Sequence, residues 1–221
     1  MAIDQIVSAS IADDAITNAK VSYNNNSFRN IIINGDMSQA QRATSTASIT
    51  SSAYSTLDRF KTVISSAGTW TQSQDTTVPT GQGFAKSLKM DCTTADGSLS
   101  AGDSLLIQTR FEGQNLQYLK KGTSSAESLT LSFWVRSNKT GTYIAELYDT
   151  DNTRNISKSY TISSADTWEK KTITYDGDTT GTLGNDNGDS FRVNFWLASG
   201  TTYTSGTLAT SWQSVTNANR A

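Results

Sequence analysis

The stretch Ser128 to Arg136, SLTLSFWVR, decides the fold. Leu129, Leu131, Phe133 and Val135 fall on one side of an extended chain, and Thr130, Ser132, Trp134 and Arg136 on the other. Strict alternation over this length is the period of a half-buried strand, with one face to a core and one to solvent. The same pattern recurs outward in both directions. Asp103 to Phe111 alternates through Leu105, Ile107, Thr109 and Phe111, and Ser190 to Ala198 through Phe191, Val193, Phe195 and Leu197. Leu57 to Ser65, Thr69 to Gln74, Phe84 to Cys92, Thr142 to Asp149, Ile156 to Ile162 and Trp168 to Tyr175 read as further strands. Tyr203 to Leu208 reads as a short final strand, and Asn30 to Asn34 as a first one ending at the turn pair Asn34-Gly35. GQNLQYLKKG (Gly113 to Gly122) breaks the alternation and predicts a helical turn between glycines. Many short strands at near-regular spacing, without long helical patterns between them, predict an all-β antiparallel sandwich. Among sandwiches the reading is a jelly roll with a short N-terminal arm.

Composition supports this and narrows the chemistry. The chain has 221 residues, with 18 Lys plus Arg against 20 Asp plus Glu, a net charge of -2, one Cys, one Pro and no His. Ser and Thr make up roughly 29 % of it, and both are at home in turns and on pleated polar faces. Without histidine there is no Ser-His-Asp or Cys-His catalysis and no His-bearing zinc site. One cysteine excludes an intrachain disulfide and a Cys-cluster metal site. No cofactor is expected. No apolar run approaches ~18 residues, so membrane insertion is not expected. The balanced charge with no basic block argues against a nucleic-acid partner. The opening MAIDQIVSAS lacks the basic and apolar regions of a signal peptide.

Residues 1 to 27 differ in texture from residues 28 to 221, which form the expected sandwich. Ile6, Ile11, Ile16 and Val21 stand five residues apart, a spacing that matches neither helix nor strand. Two arrangements fit: an extended or coiling arm that packs against copies of itself, or a short amphipathic helix near Ile11 to Lys20 followed by a loop. Either needs a partner surface, which makes 1 to 27 an anchoring and oligomerisation arm.

Three groups of residues bear on function. Trp134 and Arg136 on one strand, Glu146 and Tyr148 on a second, and Arg192, Asn194 and Trp196 on a third occupy outer-face positions. Indole faces stack on sugar C–H surfaces while Arg, Asn and Glu bind hydroxyls, so these residues form a candidate glycan face. The competing reading is that the tryptophans are covered, by the arm, a loop or a neighbouring subunit. Asp176 and Asp178, in the loop DGDTTG, open like an oxygen-ligand calcium loop, but the twelfth position is Asn187 and not a bidentate Glu. An ordinary polar loop is the alternative. Cys92 continues the alternation of Leu88 and Met90 and is expected to be a buried, inert thiol. The carboxylates show no spacing that marks a glycosidase pair, so the chain is not expected to be an enzyme.

Asn30-Ile-Ile-Ile-Asn34-Gly35-Asp36-Met37, continuing to Gln41-Arg42, resembles the opening of phage tail-fibre and virion-appendage proteins. Leu57-Asp58-Arg59-Phe60 is similar to the short strand that follows in that family, and LTLSFWVRSNKTG (129 to 141) and YTISSADTWEKKTITY (160 to 175) to its later strands. IADDAITNAK (11 to 20) is similar to linker repeats in fibres of phages of marine bacteria and cyanobacteria. The resemblance implies a jelly roll like carbohydrate-binding modules, a homotrimer, and a place on the virion surface as a tail, neck or capsid appendage. It also implies contact with other virion proteins through the arm and with a host surface glycan. A glycan-binding accessory module of a bacterial carbohydrate-active enzyme and a purely architectural decoration are the alternatives. Family members continue past a segment like NANRA (217 to 221) into a further strand. The sandwich is therefore expected to lack its last strand, with an exposed edge near Ile31 to Ile33, a strand from a neighbour, or a further C-terminal piece.

Overall fold

The computed structural model describes residues 30 to 221. The chain divides into two units, Met1–Ile33 and Asn34–Ala221. In the first, only 30 to 33 are described; Ile6, Ile11, Ile16 and Val21 of the expected arm lie outside the described residues.

The second unit is all β and antiparallel, as its alternating pattern predicts. In chain order its strands are β1 (Ser45–Ile49), β2 (Phe60–Ser65), β3 (Thr69–Asp75), β4 (Ser87–Thr94), β5 (Ser104–Glu112) and β6 (Leu129–Val135). They continue with β7 (Gly141–Asp149), β8 (Arg154–Ile162), β9 (Glu169–Tyr175), β10 (Asp189–Ser199) and β11 (Gln213–Ser214). A six-stranded sheet runs β11-β8-β7-β10-β5-β2; β1-β3-β4 and β6-β9 form two smaller sheets. Gly113–Asn115 and Gln117–Leu119 are 3-10 turns, matching the predicted break in alternation.

Register explains the layers. Cross-strand partners share a face, so Thr109, Val193 and Leu147 point to one side, and Gln108, Asn194 and Glu146 to the other. The first side is the core face. Phe133 of β6 meets the rings of Tyr160 on β8 and Phe195 on β10 edge-on, each at 5.0 Å. Such pairs add about 0.5–1.5 kcal/mol each beyond the area they bury. Tyr175 of β9 donates its buried hydroxyl to the Ala145 carbonyl of β7 (3.0 Å). At the other end, Ile49 of β1, Ile64 of β2 and Leu105 of β5 pack with Trp70 of β3 and Met90 of β4. Both small sheets therefore lie on the core face of the large one.

Three expectations are corrected. Asn30 to Asn34 form no strand; residues 33 to 36 are a turn, and the Ile32 N–H donates to Asn30 Oδ1 (3.0 Å). Tyr203 to Leu208 is not a strand either, because a one-turn helix α1 (Thr201–Thr204) redirects the chain across the large sheet. The last described strand is β11, which pairs with β8, so among the described residues the large sheet is bounded by β2 and β11. Cys92 is exposed, not buried. Its alternation holds, since Leu88, Met90 and Cys92 register with Gln74, Gln72 and Trp70. But β4 is an edge strand, and from Asp91 onward it runs out past the core. A thiol reagent added to the native protein should therefore titrate one thiol at once, without denaturant. A thiol that reacts only after unfolding would show that β4 is covered.

Candidate functional site

The seven residues of the expected glycan face do not share a surface. Trp134 belongs to β6, whose core-facing residue Phe133 packs on the large sheet, so it stands on the outside of the small layer; Arg136 follows the strand's last residue, Val135. Arg136 is turned onto the loop between β8 and β9, donating Nε–H to the Asp166 carbonyl (2.8 Å) and pairing with its carboxylate (3.2 Å). Glu146, Tyr148, Arg192, Asn194 and Trp196 lie on the outer face of the large sheet, across the sandwich. The sequence places all seven at outward positions; only the pairing of β6 with β9 instead of β7 or β10 separates them.

The large-sheet group is closed off by the chain itself. Beyond β10 the segment from Gly200 to Ala221 folds across it and holds in place by backbone bonds: Ser157 N–H to Ala209 O (2.7 Å), Ala209 N–H to Asn219 O (2.9 Å) and Gly206 N–H to Ala218 O (2.9 Å). A Cβ at Gly206 would sit 2.0 Å from Asn219 Oδ1 and 3.1 Å from the Ala218 carbonyl oxygen, so any larger residue would have to displace the Asn219 side chain. Arg220 then reaches in. Its Nε and Nη2 donate to the two oxygens of Glu146 (2.7 and 2.9 Å), and its guanidinium lies between the rings of Tyr148 (4.9 Å) and Trp196 (5.1 Å). Glu146, 0 % exposed, also accepts from Asn155 Nδ2 (3.1 Å), Asn194 Nδ2 (2.9 Å) and Trp196 Nε1 (3.1 Å). Its lone pairs are all used, and Trp196 is 4 % exposed against the Tyr203 ring. Glu146, Asn194 and Trp196 thus have no open surface to offer a sugar. This is a C-terminal clamp, and Arg220, in the terminal NANRA, is the residue that the alternation gave no means of finding.

The calcium candidates Asp176 and Asp178 lie beside a buried ammonium group. Asp178 is buried, but the Lys121 ammonium occupies the place a cation would take. Lys121 Nζ contacts Asp149 Oδ2 (2.5 Å) and Asp178 Oδ2 (3.1 Å) and donates to the carbonyls of Thr180 (3.0 Å) and Gly181 (2.8 Å). Arg154 adds a bidentate pair to Asp178 (2.7 and 3.0 Å). Asp176 contributes its carbonyl, to Trp212 Nε1 (2.7 Å). Burial pushes the Asp178 carboxyl up, but the hydrogen bonds from Arg154 and Lys121 outweigh it and hold the group below the usual carboxylate range. Among the described residues no cluster of carboxylate, Cys or His ligands is arranged for a metal.

One open cleft, of about 340 Å³, lies beside the start of β2 and the end of β5, lined by Arg42, Tyr54, Arg59, Arg110, Glu112 and Asp189 among others; a second, of about 440 Å³, is lined by Leu116, Lys120, Thr123 and Leu183 among others. The motifs of the N-terminal third build the first. Asn34, in the left-handed region (φ 60°), donates Nδ2 to the carbonyls of Gln39 (2.9 Å) and Asp58 (2.9 Å) and accepts from the Gln39 N–H (2.8 Å). This ties Asn34-Gly35 to the turn Leu57-Asp58-Arg59-Phe60. Asp58 then accepts from Arg42 Nη1 (2.9 Å), and Arg42 lies 5.8 Å from the Tyr54 ring centre. Arg59 itself is in the left-handed region (φ 72°), a costly conformation for a side-chain-bearing residue. On the far wall Asp189 pairs with Arg110 (2.8 Å) and Arg192 (2.7 Å). Nearby on β2, the Lys61 ammonium is held below the ordinary lysine range, by burial first and then by the charges of Arg110 and Arg192. Gln41-Arg42 and Asp58-Arg59 are visible in the sequence; that they meet Arg110 is decided by the β2–β5 pairing.

No protein-family model matches the sequence, and no curated protein matches it. Among solved structures, the chain is similar to the one described as the enzymatically active domain of Bacteriophage CBA120 tailspike protein 4, at 14 % identity and a TM-score of 0.45. The match covers 77 % of this chain and 19 % of that one. A distant neighbour is therefore a phage tailspike domain; a likeness at this level carries neither detailed topology nor activity across. Since that neighbour is described as enzymatically active, the expectation that the chain is no enzyme is withdrawn, with no activity assigned in its place.

Proposed function

We propose that this chain is a surface appendage of a phage particle and that its sandwich contacts host surface glycans through the cleft at Arg42, Tyr54, Arg59 and Arg110. The single observation that carries the glycan contact is that cleft. It joins an aromatic ring to hydrogen-bond donors in an open groove, the combination that sugar recognition requires. The virion placement rests on the ordered motifs from Asn34-Gly35 to Tyr160–Tyr175, the first two of which the structure shows acting together to shape the groove. In this proposal the segment before Phe28 anchors the protein to other virion proteins and assembles it as a homotrimer, so that weak single-site contacts gain by avidity.

A glycan array probed with the full chain tests the contact. Binding should appear, and Arg59→Ala should weaken it at least tenfold, while Trp134→Ala on the opposite side leaves it unchanged. An array with no bound glycan, or binding lost with Trp134 and kept without Arg59, would remove the cleft as the site.

A further inference from the structure

We infer that the cleft takes the carboxylate of an acidic sugar, with Arg59 as the group that receives it. The inference rests on the glycan reading above and specifies its ligand. The argument is an accounting of charge and donors. Arg42 is committed to Asp58, and Arg110 shares Asp189 with Arg192. Among the described residues, Arg59 has no carboxylate within ion-pair distance. Its one hydrogen bond is a long one, from Nη2 to the Arg110 carbonyl (3.4 Å). A guanidinium carries five N–H donors in a planar fork, so most of this fork is unspent, in a half-buried position at the cleft wall.

The acidic groups of the cleft do not fill that need. Asp58 is held by Arg42, Asp189 by two arginines, and Glu112 accepts from Gln114 Nε2 (2.9 Å). Among the residues that line the cleft, Arg42, Arg59 and Arg110 against Glu112 and Asp189 leave an excess of one positive charge in a protein whose net charge is -2. The fork geometry of guanidinium matches a carboxylate bidentately, and the Tyr54 ring at the same wall suits the C–H face of a pyranose. The Arg59 backbone takes its left-handed conformation in a turn that Asn34 ties down from one side, which sets the direction in which the side chain leaves the backbone.

The test titrates the full chain with oligosaccharides containing glucuronate or ending in N-acetylneuraminate, and with the same sugars after carboxyl reduction. Inorganic phosphate and sulfate serve as competitors. The acidic sugars should bind at least tenfold more tightly than their reduced forms, and the difference should shrink as sodium chloride is raised. Arg59→Gln should abolish the preference, Arg59→Lys should restore part of it, and Tyr54→Ala should weaken acidic and reduced sugars alike. The comparison of acidic and reduced sugars needs no variant, so it stands even if Arg59→Gln fails to fold. Equal binding of both forms would overturn the acidic-sugar assignment and leave the glycan reading intact. Phosphate or sulfate binding as tightly as the sugars, with no effect of Tyr54→Ala, would overturn it in favour of a simple anion site. Failure of every sugar to bind would remove the glycan reading as well.

Discussion

Arg220→Met lowers the stability of the domain by roughly 3–5 kcal/mol, the usual result of removing one partner from a buried ion pair. The reason is that Glu146 stays behind, fully buried under the C-terminal segment, with amide and indole donors but no countercharge. Part of the loss is packing, because the Arg220 guanidinium fills the space between Tyr148 and Trp196. For a domain of this size the expected fall in Tm is about 10 °C, followed by circular dichroism, with the Trp196 fluorescence changing early. The double variant Arg220→Met with Glu146→Gln should recover much of the loss, since it leaves no unpaired charge. A single-variant loss under about 1 kcal/mol would mean that the terminal segment is laid on the sheet without locking it.

Lys121→Met is expected to cost a similar amount, about 3–5 kcal/mol, because it strands two buried carboxylates, Asp149 and Asp178. Asp178 retains Arg154, but Asp149 is left with Asn152 as its remaining side-chain partner (2.9 Å). Adding Asp149→Asn to the variant should therefore restore more stability than adding Asp178→Asn. Acid titration gives an independent check. The Asp178 carboxyl is held below its ordinary value, so in the wild type it contributes stability that is present above the unfolded carboxylate range, near pH 4, and is lost as the pH falls through the lower folded value. Lys121→Met removes one of the donors that lowers that carboxyl, so the acid-dependent loss should begin at higher pH in the variant. Urea melts from pH 3 to pH 7 measure both. Coincident pH profiles would show that Lys121 does not hold the Asp178 carboxylate charged.

Both clusters show why a charged residue is hard to read in a sequence. Glu146 and Lys121 sit in stretches that look solvated: Glu146 on a face with Tyr148, Lys121 next to a second lysine in a Gly-bounded turn. Each is buried by a segment far away in the chain, Glu146 by Arg220 and Lys121 by the loop around Asp178 to Gly181. No local period carries that information. The two tryptophans chosen as sugar platforms illustrate the same point. Alternation places both outward from their strands, but the outward side of β10 is inside the protein, because the last twenty or so residues cover it.

Legibility was greatest where the physics is local. Alternation along β5, β6 and β10 determined that the chain is all β, which side of each strand is apolar, and that a break falls at Gly113 to Gly122. The dipeptides Asn34-Gly35, Gln41-Arg42 and Asp58-Arg59 marked turns and charges by type. β1 escaped because STASI is short, bulged and mostly exposed, with only Ile49 buried. Tertiary structure alone decided which strands pair, and with that which outward faces are open, which are roofed by the C-terminal segment, and which arginines meet. A period-2 pattern fixes the direction of a side chain relative to its own strand, but its surroundings depend on contacts between residues up to 74 positions apart, as Glu146 and Arg220 are.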